Sequence, residues 1–343
     1  MRAAVLRGAA GDGRLAVERV PVPDPSVGEA RVRVLRTGIC GSDLHFVLDG
    51  TARTAYTPII LGHESVGVVD ELGPATAGPA PGTRVAIVPL VTCVACARCA
   101  AGRTVLCRDR ACLGCDVEGT YAEFATVPVR NLVPVPAGLP DELAAVATDS
   151  VATALHAVER RGLVGHGRRV AVFGTGGLGL SAVGIARTLE AASIIAVDPR
   201  AEARAWALET GADQAVHPDD AADVIRRAGG VDTAMEFVGR ASTCEAAVRS
   251  LDDGGRAVIV GVGHEQAQAG RLMTFVLRER EMVGSYGSEP QDVARVLDLL
   301  ASGALRLPRA IGDVVALGDI TEAMERVAAG RAGGSRIVVD VTR

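Results

Sequence analysis

The chain has 343 residues, 48% of them hydrophobic and 22% charged, with a formal net charge of −5. That length suits two domains with cores of their own, and the acidic balance, without a long basic run, excludes nucleic acid and anionic membrane surfaces as default partners. No apolar stretch reaches the roughly 20 residues that span a bilayer, and the start, MRAAVLRGAAGDGRL, lacks the apolar core of a secretory leader, so a cytoplasmic enzyme is expected.

The first part of the chain reads as strand after strand. The apolar start looks like a first strand, and RVRVLRTG (31–38), ESVGVVDELG (64–73), TRVAIVPL (83–90) and YAEFATVP (121–128) carry the Val and Thr enrichment of strands. PVPDPSVG and GPATAGPAPG separate them as turns. A strand-rich, barrel-like domain is expected, with loops long enough to carry sites.

Polar chemistry is concentrated in the loops. TGICGSDLH (37–45) groups Cys40, Ser42, Asp43 and His45, LGHESVG (61–67) sets His63 beside Glu64, and TDSVATALHAV (148–158) offers Asp149. Taken singly, Cys40 reads as a small buried residue and His63 as a hydrogen-bonded core histidine. Residues 93–107, CVACARCAAGRTVLC, space four cysteines C-x2-C-x2-C-x7-C. Four thiolates on a short loop satisfy a tetrahedral Zn²⁺ and leave no position for substrate. The alternatives are a disulfide cluster or a set of small buried residues. Chance rarely spaces four thiols so compactly, and a long unexported chain favours reduced thiols. Cys93, Cys96, Cys99 and Cys107 therefore read as a structural staple, in a lobe of about 92–108. CLGC (112–115) has redox-motif spacing without other support, and no role is assigned to Cys112, Cys115 or Cys244.

From about residue 165 the pattern changes. RRVAVFG (168–174), SIIAVD (193–198), QAVH (214–217), VDTAMEFVG (231–239), RAVIVGVG (256–263) and EMVGSYG (281–287) are short apolar runs, mostly separated by segments of helical periodicity. Such alternation implies right-handed crossovers and a parallel sheet. ITEAMERVAAG suits a late helix, and SRIVVDV a closing strand that returns to the first domain.

GTGGLG (174–179) follows a predicted strand and opens a predicted helix, with Asp198 ending the next strand nineteen residues after Gly179. This is the context the dinucleotide fingerprint requires. Gly174, Gly176 and Gly179, with Gly177 and Leu178 between them, let the backbone approach a pyrophosphate at a helix N-terminus. Asp198 can bond both ribose hydroxyls and repels a 2′-phosphate. NAD is expected over NADP, with Arg200 nearby as the counter-indication. The duller reading is a tight turn and a surface aspartate.

Together G-x-C-G-S-D-x-H, G-H-E-x-x-G, the four-cysteine lobe and G-x-G-x-x-G resemble the zinc-dependent alcohol dehydrogenases of the medium-chain dehydrogenase/reductase superfamily, over essentially the whole length. The resemblance implies an α/β protein in which a GroES-like, strand-rich catalytic domain (1–149 and 288–343) joins a Rossmann doubly wound parallel sheet (150–287). It implies two Zn²⁺ per chain, one structural and one catalytic. Cys40 and His63 match two family ligands of the catalytic ion, Asp149 falls at the third, and Glu64 sits beside the metal. Asp43 accepts a hydrogen bond from His63, and a proton leaves through Ser42 toward His45. Thr153 and Leu178 face the nicotinamide, Arg336 lies near the pyrophosphate, and Val91, Tyr286 and residues of 46–56 line the substrate pocket. Gly41 departs from members that carry a phosphate-contacting arginine there. The implied reaction moves a hydride between NAD(H) and an alcohol or ketone, most closely a secondary alcohol or polyol, in a homodimer or homotetramer. A zinc-free quinone or enone reductase on the same scaffold would lack the ligand set, and a zinc-dependent binding or sensing module would lack the dinucleotide site.

Overall fold

The computed structural model describes residues 1–8, 11, 15–332 and 336–343. The chain forms two compact units, one of Met1–Ala152, Glu289–Ala301 and Ile311–Arg343, the other of Thr153–Ser288 and Ser302–Ala310. In chain order the strands are β1 (Arg2–Leu6), β2 (Leu15–Arg19), β3 (Glu29–Gly38), β4 (Ile59–Ile60), β5 (Glu64–Leu72), β6 (Arg84–Ile87), β7 (Leu90–Val91), β8 (Ala111–Cys112), β9 (Phe124–Pro128) and β10 (Leu132–Pro134). The second unit contributes β11 (Arg169–Phe173), β12 (Ser193–Val197), β13 (Gln214–Val216), β14 (Val231–Glu236), β15 (Leu251–Ile259) and β16 (Glu281–Gly284). The chain then returns to the first unit with β17 (Ile311–Ala316) and β18 (Arg336–Asp340).

β3 is the spine of the first unit. Its Val32 and Val34 point into the core while Arg33 between them is exposed, the period-two pattern of a half-buried strand. The large sheet runs β10-β6-β5-β3-β18-β17, with β9 also pairing β3. The closing strand expected from Ser335 begins at Arg336 among the described residues, Ser335 itself lying outside them. β18 runs antiparallel to β3, and the Ile39 N–H donates to the Ile337 carbonyl at 2.9 Å. That pairing delivers Arg336 beside the β3 exit and Cys40.

In the second unit all sheet pairings are parallel, in the order β13-β12-β11-β14-β15-β16. The order reverses beside β11, the point where such sheets bind dinucleotides. β11 and β12 are buried along almost their whole length, as strands covered by helices on both faces must be. Residues 302–310, which the sequence grouping leaves with the first domain, pack with the second unit. Leu305 is 2% exposed, and Leu307 Cδ2 closes on Gly184 so tightly that a Cβ there would lie 2.7 Å away.

Candidate functional site

Cys40 caps a seven-residue helix, Gly41–Val47. Its N–H donates to Asp43 Oδ2 at 2.9 Å, which fixes the entry of the chain into the helix. His63 immediately precedes β5. Asp149 lies in Ala147–Val151, a turn of π-helix that follows the helix Asp141–Val146. Cys40 Sγ and Asp149 Oδ2 are 3.6 Å apart, His63 Nε2 and Asp149 Oδ2 3.9 Å, and the three donor atoms lie within 4.8 Å of one another. Ser42 Oγ sits 3.3 Å from His63 Nε2.

Tetrahedral zinc ligands at about 2.0–2.3 Å from the ion are separated from each other by roughly 3.3–3.8 Å. The two separations from Asp149, 3.6 and 3.9 Å, stand close to that range, and the donor chemistry is that of zinc. Burial opposes charge on His63, yet Asp43, Cys40 and Asp149 push its imidazole up. Burial pushes Glu64 up to about 7, against the pull of Arg336. His63 Nδ1 and Asp43 Oδ1 are buried without hydrogen-bond partners and face each other at 3.6 Å. The hydrogen bond expected between them is therefore an open contact here. With a cation on Nε2, the ring proton resides on Nδ1 and points at this carboxylate. The residues fit a zinc ion.

Glu64, fully buried, is engaged by Arg336, whose Nε lies 3.1 and 3.2 Å from its two oxygens. Arg336 Nη2 is 3.8 Å from Cys40 Sγ. β18 delivers the Arg336 guanidinium onto the buried Glu64 carboxylate. His45 is exposed, and its Nδ1 lies 2.9 Å from both Asp49 Oδ2 and Thr51 Oγ1.

In the cysteine lobe the Sγ–Sγ distances are 3.9 Å (Cys93–Cys99), 3.6 Å (Cys96–Cys99), 4.0 Å (Cys96–Cys107) and 3.5 Å (Cys107–Cys93). A disulfide needs about 2.05 Å, whereas sulfurs around tetrahedral zinc stand roughly 3.8 Å apart. The backbone N–H of Cys96 donates to Cys93 Sγ at 3.3 Å and that of Cys93 to Cys107 Sγ at 3.5 Å, donors that suit thiolates. Glu289 braces the lobe by accepting the Val105 N–H and the Thr104 hydroxyl. All eight cysteines are free.

In the second unit, Gly174 takes a φ of +84°, and a Cβ on Gly179 would lie 1.8 Å from the Gly174 carbonyl. Both positions therefore demand glycine. Gly176 caps the helix Gly177–Thr188. The turn opens on a cavity of about 1040 Å³ lined also by Leu178, Asp198 and Arg200. Asp198 Oδ2 accepts the Thr175 N–H and Oδ1 the Arg200 N–H, each at 2.9 Å. The Arg200 guanidinium closes on the same oxygens at 3.2 and 3.3 Å. Burial resists ionisation of Asp198, and these donors overcome it, holding its carboxyl below the usual range. Thr153 is buried, Leu178 half-buried. Val91 belongs to the first unit and Tyr286, 48% exposed, to the second. Sequence reasoning missed Tyr121, whose hydroxyl reaches Asp43; a tyrosine at the edge of a strand run carries no distinctive signal.

The chain matches the Alcohol dehydrogenase GroES-like domain over residues 26–137 and the Zinc-binding dehydrogenase family over 177–302. It is 33% identical to an alcohol dehydrogenase of Geobacillus stearothermophilus, covering 95% of this chain and 96% of that one. It is 32% identical to an L-threonine 3-dehydrogenase of Streptomyces coelicolor, over 94% and 95% of the two chains. A crystal structure of a zinc-binding dehydrogenase from Sinorhizobium meliloti 1021 bound to NADP superposes with a TM-score of 0.89 at 32% identity, covering 99% and 98%. The chain belongs to the zinc-dependent alcohol dehydrogenase family of the medium-chain dehydrogenase/reductase superfamily, and it is an NAD(P)-dependent oxidoreductase of CH–OH groups with a GroES-like and a Rossmann-type domain.

Proposed function

We propose that the chain interconverts a secondary alcohol or polyol and its ketone, preferring NAD(H), with a catalytic zinc on Cys40, His63 and Asp149. The observation that carries this reading is the convergence of those three donors within 4.8 Å, with the Ser42 hydroxyl 3.3 Å from His63 Nε2. A second zinc belongs to Cys93, Cys96, Cys99 and Cys107. A zinc ion in the open site supplies Lewis acidity, which lowers the pKa of an alcohol toward neutrality.

The residues handle the proton and the cofactor. Ser42 Oγ accepts the hydroxyl proton as it hands its own to a ribose hydroxyl of the nicotinamide, and His45 receives a proton from that ribose. His45, three residues on and so on the same helix face, releases it to solvent, its ring steadied by Asp49 and Thr51. Asp198 takes the ribose hydroxyls and repels a 2′-phosphate, while Gly174, Gly176, Gly177 and Gly179 admit the pyrophosphate. Thr153 and Leu178 support the nicotinamide, and Val91 and Tyr286 contact substrate.

Leu272 and Leu277, 77% and 76% exposed, lie on a helix just before β16, the sheet's edge strand. An exposed edge flanked by apolar side chains suits a two-fold contact with a second copy, so the assembly is a homodimer or a dimer of dimers. Among the described residues no helix is long and apolar enough to cross a membrane, and eight free thiols suit the reducing cytoplasm.

The test is a screen of secondary alcohols, polyols and ketones with NAD(H) and NADP(H), run beside His63→Ala. That variant abolishes turnover while NAD binding stays nearly intact. Near-wild-type turnover in it would show that the cluster is not the reaction centre.

A further inference from the structure

Tyr121 is fully buried in the core of the first unit, beside Ile39 and Leu61. Two contacts take it beyond packing. Its hydroxyl donates to Asp43 Oδ2 at 2.6 Å, the oxygen that also accepts the Cys40 N–H at 2.9 Å. Its ring presses on Gly62, the residue before His63; a Cβ there would lie 2.7 Å from Tyr121 Cδ1. The Asp43 carboxylate is thereby made asymmetric. Oδ2 holds two donors, whereas Oδ1 holds none and faces the equally unpartnered His63 Nδ1 at 3.6 Å. Two donors on one oxygen oppose rotation of the carboxylate.

We propose that Tyr121 is a positioning residue for His63: its hydroxyl locks Asp43 so that Oδ1 is presented to Nδ1, which aims Nε2 at the metal. The proposal rests on reading Cys40, His63 and Asp149 as zinc ligands. Tyr121 acts through Asp43. The Gly38 carbonyl at the end of β3 lies 3.1 Å from the hydroxyl, a longer contact than that to Asp43 for its single proton. Burial, with the Asp43 charge beside it, pushes the phenol up, so it remains a donor.

Tyr121→Phe keeps the ring and removes the donor. Zinc-loaded enzyme is titrated with a chromophoric chelator, and the cobalt-substituted enzyme gives the ligand-field spectrum of the same site. Losing a partner of a ligating histidine typically weakens metal binding roughly 10–100-fold. One of the two zincs should weaken by that factor in Tyr121→Phe, the other should stay, and the cobalt absorption should shift. Asp43→Asn should weaken the same zinc, and adding Tyr121→Phe to it should cost nothing more, because both act along one path.

Unchanged affinity and cobalt spectrum in Tyr121→Phe, even with a lowered melting temperature, would overturn the proposal, as would additive losses in the double variant. His63→Ala separates the two possible failures. If it still holds two zincs per chain, the ligand reading fails and the role of Tyr121 falls with it. If it loses one while Tyr121→Phe binds like wild type, only the role of Tyr121 falls. Should Tyr121→Phe not fold, the wild-type chain with 3-fluorotyrosine at its three tyrosines is followed by fluorine NMR. The Tyr121 resonance, assigned with Tyr56→Phe and Tyr286→Phe, must move when the Cys40–His63–Asp149 site is emptied; a fixed resonance overturns the proposal.

Discussion

Arg336 and Glu64, 272 residues apart in the chain, form a two-point ion pair whose side chains are 8% and 0% exposed. Gly38 makes room for it, since a Cβ there would lie 2.3 Å from Glu64 Oε2. Breaking a buried pair by removing one partner costs about 3–5 kcal/mol, mostly because the other charge is stranded. Arg336→Met should lower the melting temperature markedly, and Arg336→Met with Glu64→Gln should recover part of the loss. Calorimetry in which the double variant is no more stable than the single one would contradict this account.

The cysteine lobe should behave as a metal-coupled fold. Wild type should carry two zincs per chain by atomic emission, and Cys99→Ser should retain one while losing stability, because the three remaining thiolates hold their ion weakly. One zinc per wild-type chain, together with a fully stable Cys99→Ser, would remove the staple.

Arg200 covers the carboxylate through which Asp198 is proposed to select NAD. Arg200→Ala should therefore raise the preference for NAD over NADP, by uncovering the charge and by removing a cation from reach of a 2′-phosphate. Asp198→Ala should narrow the preference, mainly through weaker NAD. The readout is the ratio of kcat/KM for the two cofactors, and a ratio unmoved by both variants would clear these residues of the role.

The apolar helix before β16 predicts assembly. Leu272→Glu with Leu277→Glu charges the two ends of this helix at side chains that are already solvent-exposed in the single chain, so the fold should survive while association is lost. Sedimentation velocity should show a shift to monomer. Wild type sedimenting as a monomer would rule out the interface.

Much of this architecture is legible in the sequence because local rules and global fold agree. The alternation in RVRVLRTG gives β3, and GTGGLG marks the strand-to-helix turn whose first and last positions, Gly174 and Gly179, admit only glycine. Cys40 and His63 are readable through the motifs around them, as the four cysteines are through their spacing. What escapes is long-range or conformational. Nothing local announces that Arg336 faces Glu64 or that Tyr121 reaches Asp43, because each pairing depends on which strands lie side by side. Residues 302–310 carry no compositional mark of the unit they join; the pocket beside Gly184 that receives Leu307 exists only after folding.

The π turn at Ala147–Val151 gives Asp149 an unusual heredity. Such a turn is what one extra residue leaves inside an α-helix. Removing a single codon from this stretch would let the widened turn close to α-helical geometry and move the side chains within it by one helical position, about 100°. A point mutation at 149 thus changes which donor the cluster receives, whereas an in-frame deletion nearby decides whether any side chain at 149 arrives at all. The identity of the third donor and its delivery are separable genetic traits, altered by different classes of mutational event.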